Sequence, residues 1–349
     1  MIITIILQSS HSLRRTIWAL LAAGMLMGTV SLHQQITGSF HHEYWGFGQA
    51  EIGHITGKSS DYRLTGPIGD PNFYAQILLV LIPLALDRLR YASTAFGRIA
   101  AAYALFVCSW TFIFTFSRGG LVALAIALGI MLIRRPPRPI ILAVSLLVML
   151  LVLPWVPAEY TARITTIFDA ASSLVDEGET DTAMRGRLSE NLVGLQIFMD
   201  HPLLGVGLNN YPVHYRRYAQ HIGLDLRHED RSAHNLYLQI AAETGLLGLS
   251  MFGLLLGVMF HGLRQTYLKL TQMGKTNDAE MVMSFLIAVV GYLMAAVFLH
   301  SAYPRYFWLL FGIALATAHI GKTEQMTQRL PDARPGEPIQ DAAYIAYHR

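Results

Sequence analysis

The sequence predicts an all-α, polytopic membrane helix bundle with a helical extracytoplasmic loop. Three observations lead there. The chain of 349 residues is 53% hydrophobic and only 14% charged, its mean hydropathy is +0.39, and its long apolar stretches are separated by loops in which Lys and Arg recur on alternate sides. Soluble domains carry roughly a quarter charged residues, so a water-soluble globular enzyme is excluded. The net charge of +3 is too small to suggest a nucleic-acid partner. A single cysteine, Cys108, lies in an apolar run, which rules out an intramolecular disulfide and a cysteine metal site. The first apolar stretch follows Arg14 and Arg15 and runs into a polar loop without a small-residue cleavage pattern, so it reads as a span rather than a signal peptide.

A span needs about 20 mostly apolar residues, with about 17 as the lower limit. Eight stretches meet or approach that length: 16 to 32, 73 to 86, 99 to 116, 119 to 133, 139 to 156, 236 to 260, 281 to 299 and 306 to 320. The second, fourth and eighth are short and must borrow flanking polar residues. The organisation expected is therefore spans 1 to 5 over residues 1–156, an extracytoplasmic loop over 157–235, spans 6 to 8 over 236–320 and a disordered, Pro-containing cytoplasmic tail over 321–349.

Cytoplasmic short loops hold an excess of Lys and Arg. Arg14, Arg15, Arg88, Arg90, Arg98, Arg134, Arg135, Arg138, Arg264, Lys269, Lys275 and the tail cations Lys322, Arg329, Arg334 and Arg349 fall on one side. Those are 15 of the 26 cations, and they put both termini in the cytoplasm. The other eleven, all arginine except Lys58, fall outside. Within the outer loop, Leu188, Leu192, Leu195 and Phe198 or Met199 recur at helical spacing from Arg187, which predicts an amphipathic helix across the bundle or the membrane surface. Pro202 stops it, and Gly205-Val206-Gly207 with Asn209-Asn210 makes a turn-rich link.

All the unusual polar motifs fall on the outer side. They are Arg63 and Asp70-Pro71-Asn72 before span 2, Ser117-Arg118-Gly119-Gly120 between spans 3 and 4, Arg185-Gly186-Arg187, Ser232-Ala233-His234-Asn235 at the entry to span 6, and Tyr303-Pro304-Arg305 between spans 7 and 8. Five segments thus deliver arginine, histidine and amides to one membrane face. Each also has a plainer reading. Arg118 fits a tight turn with its guanidinium snorkelling to phospholipid phosphate; Arg185 and Arg187 fit the solvated face of a helix; Arg305 fits an anchor; His234 fits a helix-start histidine without chemistry. Asp70 suits an N-cap, with Pro71 in the first turn. Glu243 is placed on the order of 12 Å down the sixth span, where a carboxylate must face the bundle interior. Asn235 and Gln239 precede it at intervals of four, so the three are expected to form one polar stripe, with Glu243 a structural partner for an interior polar group or arginine. Fourteen histidines invite a metal site, but neither H-E-x-x-H nor D-x-D occurs, and His221, His228 and His234 stand seven and six apart in a loop, so no metal is expected. No G-x-S-x-G nucleophile motif occurs either.

The segment from His201 through Pro202, Leu203, Leu204, Gly205, Val206, Gly207, Leu208, Asn209 and Asn210 to Tyr211, followed by His234-Asn235-Leu236-Tyr237-Leu238-Gln239 and Ala242-Glu243-Thr244-Gly245, resembles the O-antigen ligase and O-antigen polymerase superfamily. Asp70-Pro71-Asn72, Ser117-Arg118-Gly119-Gly120 and the Arg187 helix fall in that family's order, so the resemblance covers about residues 60 to 265. It implies a GT-C-like fold and a metal-independent, cofactor-free glycosyltransferase in a bacterial inner membrane. Such an enzyme takes glycan from undecaprenyl diphosphate and passes it to lipid A-core or another glycan acceptor on the extracytoplasmic face. Members carry several more spans ahead of the Asp-Pro-Asn region, which implies a shortened chain, either a fragment or a mis-started protein. Three residues after Arg187 stands Glu190, where the resemblance leads one to expect an aromatic; the expected consequence is confined to local packing.

In the resemblance's terms Arg187 is the first candidate for stabilising the departing diphosphate, with Arg185 and Arg118 supporting it and Arg63 and Arg305 weaker. His234 is the base that takes the acceptor hydroxyl's proton, and Asp70, Asn72, Asn235 and Glu243 are structural polar residues. The resemblance implies transfer of the glycan to an acceptor sugar, as in ligation of polymer to lipid A-core, without separating that from its alternatives. Polymerisation of O-antigen or exopolysaccharide repeat units, or transfer of glycan to protein, shares the same donor. A rival of another class, a lipid-linked glycan transporter, predicts charges along mid-membrane spans and internal repeat symmetry.

Overall fold

A computed structural model of the chain describes residues 3, 7–52, 62–136, 182–222, 231–299 and 305–329. The predicted span at 139–156, His228, Tyr303 and Pro304 lie outside those residues. The elements run α1 Ser10–Thr37, β1 Gln49–Ile52, β2 Tyr62–Gly66, α2 Pro71–Tyr91, α3 Ala95–Ile113, α4 Arg118–Arg134, α5 Thr182–Asp200, α6 Tyr211–Ile222, α7 Leu236–Gln272, α8 Thr276–Ala295 and α9 Arg305–Arg329. The protein is an all-α polytopic membrane bundle. Five of the described helices are long and apolar enough to cross a membrane: α1, α2, α3, α7 and α8 with the short turn Ala296–Phe298 that extends it.

Local sequence sets the helix starts. Ser9 and Ser12 form a reciprocal capping box at α1. Asp70, Thr94, Ser117 and Asn235 each turn a side-chain oxygen onto free backbone N–H groups of α2, α3, α4 and α7. Helices α2 and α8 form the centre, since 78% and 72% of their apolar stretches are buried, against 28% for α1 and 17% for α7. Tyr74, Leu78 and Leu81 of α2 and Phe285 and Tyr292 of α8 are buried in one core cluster. The outer helices turn Leu254, Leu255 and Val258 of α7 outward, as a lipid-facing surface permits.

Three features depart from the sequence reading. The loop from 33 to 72 contains an antiparallel hairpin in which Ala50 pairs with Leu64 and Ile52 with Tyr62; its strands of four and five residues are too short to carry a clear alternation. Residues 321–329, expected at the start of a disordered tail, continue α9. Glu324 explains this, because its carboxylate accepts from the Ser10 N–H at 2.8 Å and from Lys275 Nζ at 2.7 Å, tying the extension to α1 and α8. Lastly, α7 is broken at Gly245 (φ 64, ψ −165), a backbone region essentially reserved for glycine. The break falls after Glu243, so Glu243 keeps its expected place about 12 Å beyond Asn235, but on a short helix that ends before the apolar span begins.

Most described cations of the predicted cytoplasmic side gather at one end. There Arg14 pairs with Asp278 at 2.5 Å, Arg135 with Glu280 at 2.6 Å and Lys275 with Glu324 at 2.7 Å. The hairpin, the start of α4, the α5–α6 layer and the start of α7 occupy the opposite end.

Candidate functional site

Two groups of polar residues are built at that opposite end. The first surrounds the start of α2. Asp70 Oδ1 accepts from the N–H groups of Asn72 at 2.7 Å and Phe73 at 2.9 Å, the capping role its sequence context indicates. Strand β2 docks on the turn after α3 through the Leu64 N–H, which donates to the Phe114 carbonyl at 3.1 Å. Next to it, Arg63 donates Nε–H to the Thr115 carbonyl at 2.9 Å and Nη2–H to Asn72 Oδ1 at 3.1 Å. Its guanidinium thus joins hairpin, turn and α2, and Asn72 is its partner. Phe116 is held at φ 51, an uncommon value for a bulky residue, and Ser117 Oγ caps α4 by accepting from the Gly120 N–H at 3.3 Å. Arg118 stands at the first position of α4, half-buried.

The second group is the α5–α6 layer seated on α7. Helix α5 confirms the helix expected from Arg187 and stops at Asp200, ahead of Pro202. Its orientation is the new information. Ser189, Glu190, Val193 and Ile197 are buried against Tyr211 and Tyr215 of α6, whereas Leu188, Leu192, Leu195 and Met199 are exposed. The leucine stripe points away from the bundle.

The link from His201 to Tyr211 and the break in α7 interlock. Backbone N–H groups of Val206 and Gly207 donate to the carbonyls of Ala242 at 3.0 Å and Glu243 at 2.8 Å, while those of Leu246 and Leu247 donate to Pro202 at 2.7 Å and Leu203 at 3.3 Å. These bonds satisfy groups that the broken helix would otherwise leave orphaned. The approach is close enough to need glycine on both sides: a Cβ on Gly205 (φ 66) would stand 2.3 Å from the Glu243 carbonyl carbon, and one on Gly245 2.4 Å from that of Leu203. Glu243, 1% exposed, accepts from the Tyr211 N–H and from Gln239 Nε2, each at 3.3 Å. It holds the start of α6. Asn235 does not join the expected stripe; as the N-cap of α7 its Oδ1 accepts from the N–H groups of Tyr237 at 3.0 Å and Leu238 at 3.2 Å, amides that the helix start leaves without intrahelical partners.

Glu190 is the residue that sequence reasoning missed. It is 0% exposed, and each carboxylate oxygen has its own partner: Oε1 is 2.7 Å from Arg231 Nη1 and Oε2 is 2.6 Å from His234 Nδ1. Its main-chain carbonyl accepts from the Tyr211 hydroxyl. Burial, with Glu190 and Glu243 nearby, pushes that phenol above its ordinary range, so it remains a donor. Arg187 lies one turn ahead of Glu190 on the same face of α5 and is half-buried. The consequence of having Glu190 where an aromatic was expected is therefore electrostatic rather than confined to packing. The signal available in the sequence was weak, because the partners of Glu190 stand 41 and 44 positions away.

The two groups flank the end of α8. Gly119 of α4 packs against Phe298, and the Tyr237 hydroxyl, three residues after His234, donates to the Leu293 carbonyl at 2.9 Å. Arg305 is exposed at the first position of α9. Arg185 lies in α5. Among the described residues no three His, Cys, Asp or Glu side chains are grouped as metal ligands.

These features define a polytopic membrane protein whose polar site is assembled at one end of the bundle from the starts of α4 and α7 and an overlying helical layer. Residues 103–253 match the family described as O-antigen ligase, and that match supports a relation of this region to the O-antigen ligase superfamily. The match takes in Arg118, Arg187, Glu190, Arg231, His234 and the Gly205–Gly245 interlock. No curated protein compared with the chain matches it.

Proposed function

We propose that this chain transfers a glycan from undecaprenyl diphosphate to an acceptor sugar hydroxyl on the outer face of a bacterial inner membrane, as an O-antigen ligase-like glycosyltransferase of cell-surface polysaccharide synthesis. The observation that carries the reading is the cluster in which buried Glu190, one helical turn after Arg187, holds His234, within the stretch that matches the family. His234 accepts the proton of the acceptor hydroxyl as its oxygen attacks the anomeric carbon. The bond from that carbon to the phosphate oxygen breaks, and its electron pair leaves with undecaprenyl diphosphate. A single displacement of this kind inverts the anomeric centre. Guanidinium groups stay charged at any accessible pH and bind phosphate oxygens as forks, so Arg187, with Arg185, Arg118 and more distantly Arg305, stabilises the charge that grows on the leaving group. Arg63, engaged by Thr115 and Asn72, acts by shaping the same face.

The test uses the full chain in proteoliposomes supplied with an undecaprenyl-diphosphate-linked glycan, with and without lipid A-core, and measures release of undecaprenyl diphosphate. Arg187→Ala and His234→Ala are each expected to slow release by about 10² to 10⁴-fold. Wild-type turnover in either variant removes that residue from the mechanism. Release that requires lipid A-core marks a ligase, and release with lengthening of the donor glycan alone marks a polymerase.

A further inference from the structure

We infer that Glu190 is a positioning residue for His234: it fixes which ring nitrogen meets the acceptor hydroxyl and stabilises the imidazolium formed when the proton is taken. The inference rests on the reading above that His234 takes that proton.

A carboxylate offers only acceptors. With Oε2 2.6 Å from His234 Nδ1, the proton of the neutral ring sits on Nδ1, and Nε2 is left as the nitrogen with a lone pair. The exposures of the two residues fit that division of labour. The Glu190 side chain is 1% exposed and that of His234 30%, so the carboxylate is enclosed while the ring reaches the surface in part. Rotation of the carboxylate is blocked on its other side by Arg231 at 2.7 Å. The helix beneath is fixed by two tyrosines of α6, Tyr211 donating to the Glu190 carbonyl and Tyr215 bonding Ser189 Oγ at 3.3 Å. Burying a carboxylate costs several kcal/mol unless it is paired, and an apolar residue of similar volume often serves stability as well or better. A role confined to packing therefore gives no reason for an acid at this position. Orientation of a catalytic histidine does.

In the proposed step the acceptor O–H proton moves to Nε2, the acceptor oxygen bonds the anomeric carbon, and the diphosphate departs with its electron pair. The positive charge now on the ring is balanced by Glu190. Among the described residues, the charged and titratable groups on the elements packed around the pair include Arg187 from α5, Tyr211 and Tyr215 from α6, Arg231 from the stretch before α7, and Glu243, which accepts from the Tyr211 N–H. Removing the Glu190 charge leaves the imidazolium less stable. The ring then becomes a weaker base, and the rising acid limb of the rate profile moves to lower pH.

The experiment compares Glu190→Gln, Glu190→Asp and His234→Ala in the proteoliposome assay across pH, with chain recovered in the membrane as the normaliser. Glu190→Gln is expected to slow undecaprenyl diphosphate release on the order of 10²-fold and shift the acid limb to lower pH, with Glu190→Asp recovering part of the rate. Wild-type turnover and an unshifted limb in Glu190→Gln, alongside an inactive His234→Ala, would overturn the role of Glu190 while leaving the glycosyl-transfer reading intact. Wild-type turnover in His234→Ala would instead remove the base on which both depend. A measurement that needs no altered Glu190 is the nitrogen spectrum of histidine-labelled chain in nanodiscs, with His234 assigned by difference against His234→Gln. A proton on Nδ1 of the neutral ring is expected, and a proton on Nε2 overturns the inference.

Discussion

The two ends of the bundle use acidic residues in different ways. At the cation-rich end Asp278, Glu280 and Glu324 pair with Arg14, Arg135 and Lys275, whose side chains are 36% to 42% exposed, while Asp87 and Arg88 form a pair buried inside the bundle. At the other end Glu190 and Glu243 are almost wholly enclosed. One holds an arginine and a histidine, and the other accepts from a backbone amide and a glutamine. Partly exposed pairs contribute little because water and salt screen them, whereas removing one partner of a buried pair leaves an uncompensated charge. The three partly exposed pairs at the first end fasten helices to one another, and the acids at the second fix the directions of particular side chains.

The comparison can be broken most severely at the interlock. Gly245→Ala forces a Cβ into the Leu203 carbonyl and a positive φ that alanine resists; a stability loss of about 3 kcal/mol or more is expected, read as a lowered melting temperature in detergent. Tyr211→Phe deletes only the donor to the Glu190 carbonyl. It should cost about 1 to 3 kcal/mol and slow transfer without moving the acid limb of the rate profile. Asp70→Ala removes the cap of α2 and should cost about 1 kcal/mol by the same melting assay. At the opposite end Arg14→Ala should change stability by less than about 1 kcal/mol and leave transfer untouched; a larger loss would erase the distinction between the ends.

The smallest effect is one of pH. Burial acts to raise the Glu324 carboxyl, but the hydrogen bonds from Lys275 and Ser10 outweigh it and hold the group below its usual range. A depressed carboxyl contributes stability above the ordinary carboxylate pKa of about 4, and that contribution is lost as pH falls through the lowered value. Hydrogen exchange in residues 321–329 should therefore rise below about pH 4 in the wild-type chain. It should already be raised at neutral pH in Glu324→Gln.

The bundle was largely legible because membrane helices announce themselves by length, apolar composition and the side on which cations fall. Hairpin Gln49–Gly66 was not, since two short strands leave no periodic trace in a polar loop. The break at Gly245 was hidden for a related reason: a glycine in an apolar run reads as a tolerated helix residue until its partner, the Pro202–Gly207 link, is known in space. Asp70 and Asn235 were placed by local cap chemistry, which acts over two or three residues; Asp70 was read as a cap, while Asn235 was assigned to a longer stripe. Glu190 shows the limit. A lone acid on an amphipathic helix looks solvated, and only the folded α5–α6–α7 layer brings Arg231 and His234 to it.

The central claim is that the outer cluster performs glycosyl transfer while the paired end only fastens the bundle. Undecaprenyl diphosphate release from a lipid-linked glycan, measured side by side for His234→Ala, Arg187→Ala and Arg14→Ala in proteoliposomes, tests it most directly. Loss of about 10² to 10⁴-fold in the first two with wild-type release in the third is the expected result. Equal release from all three would contradict the account.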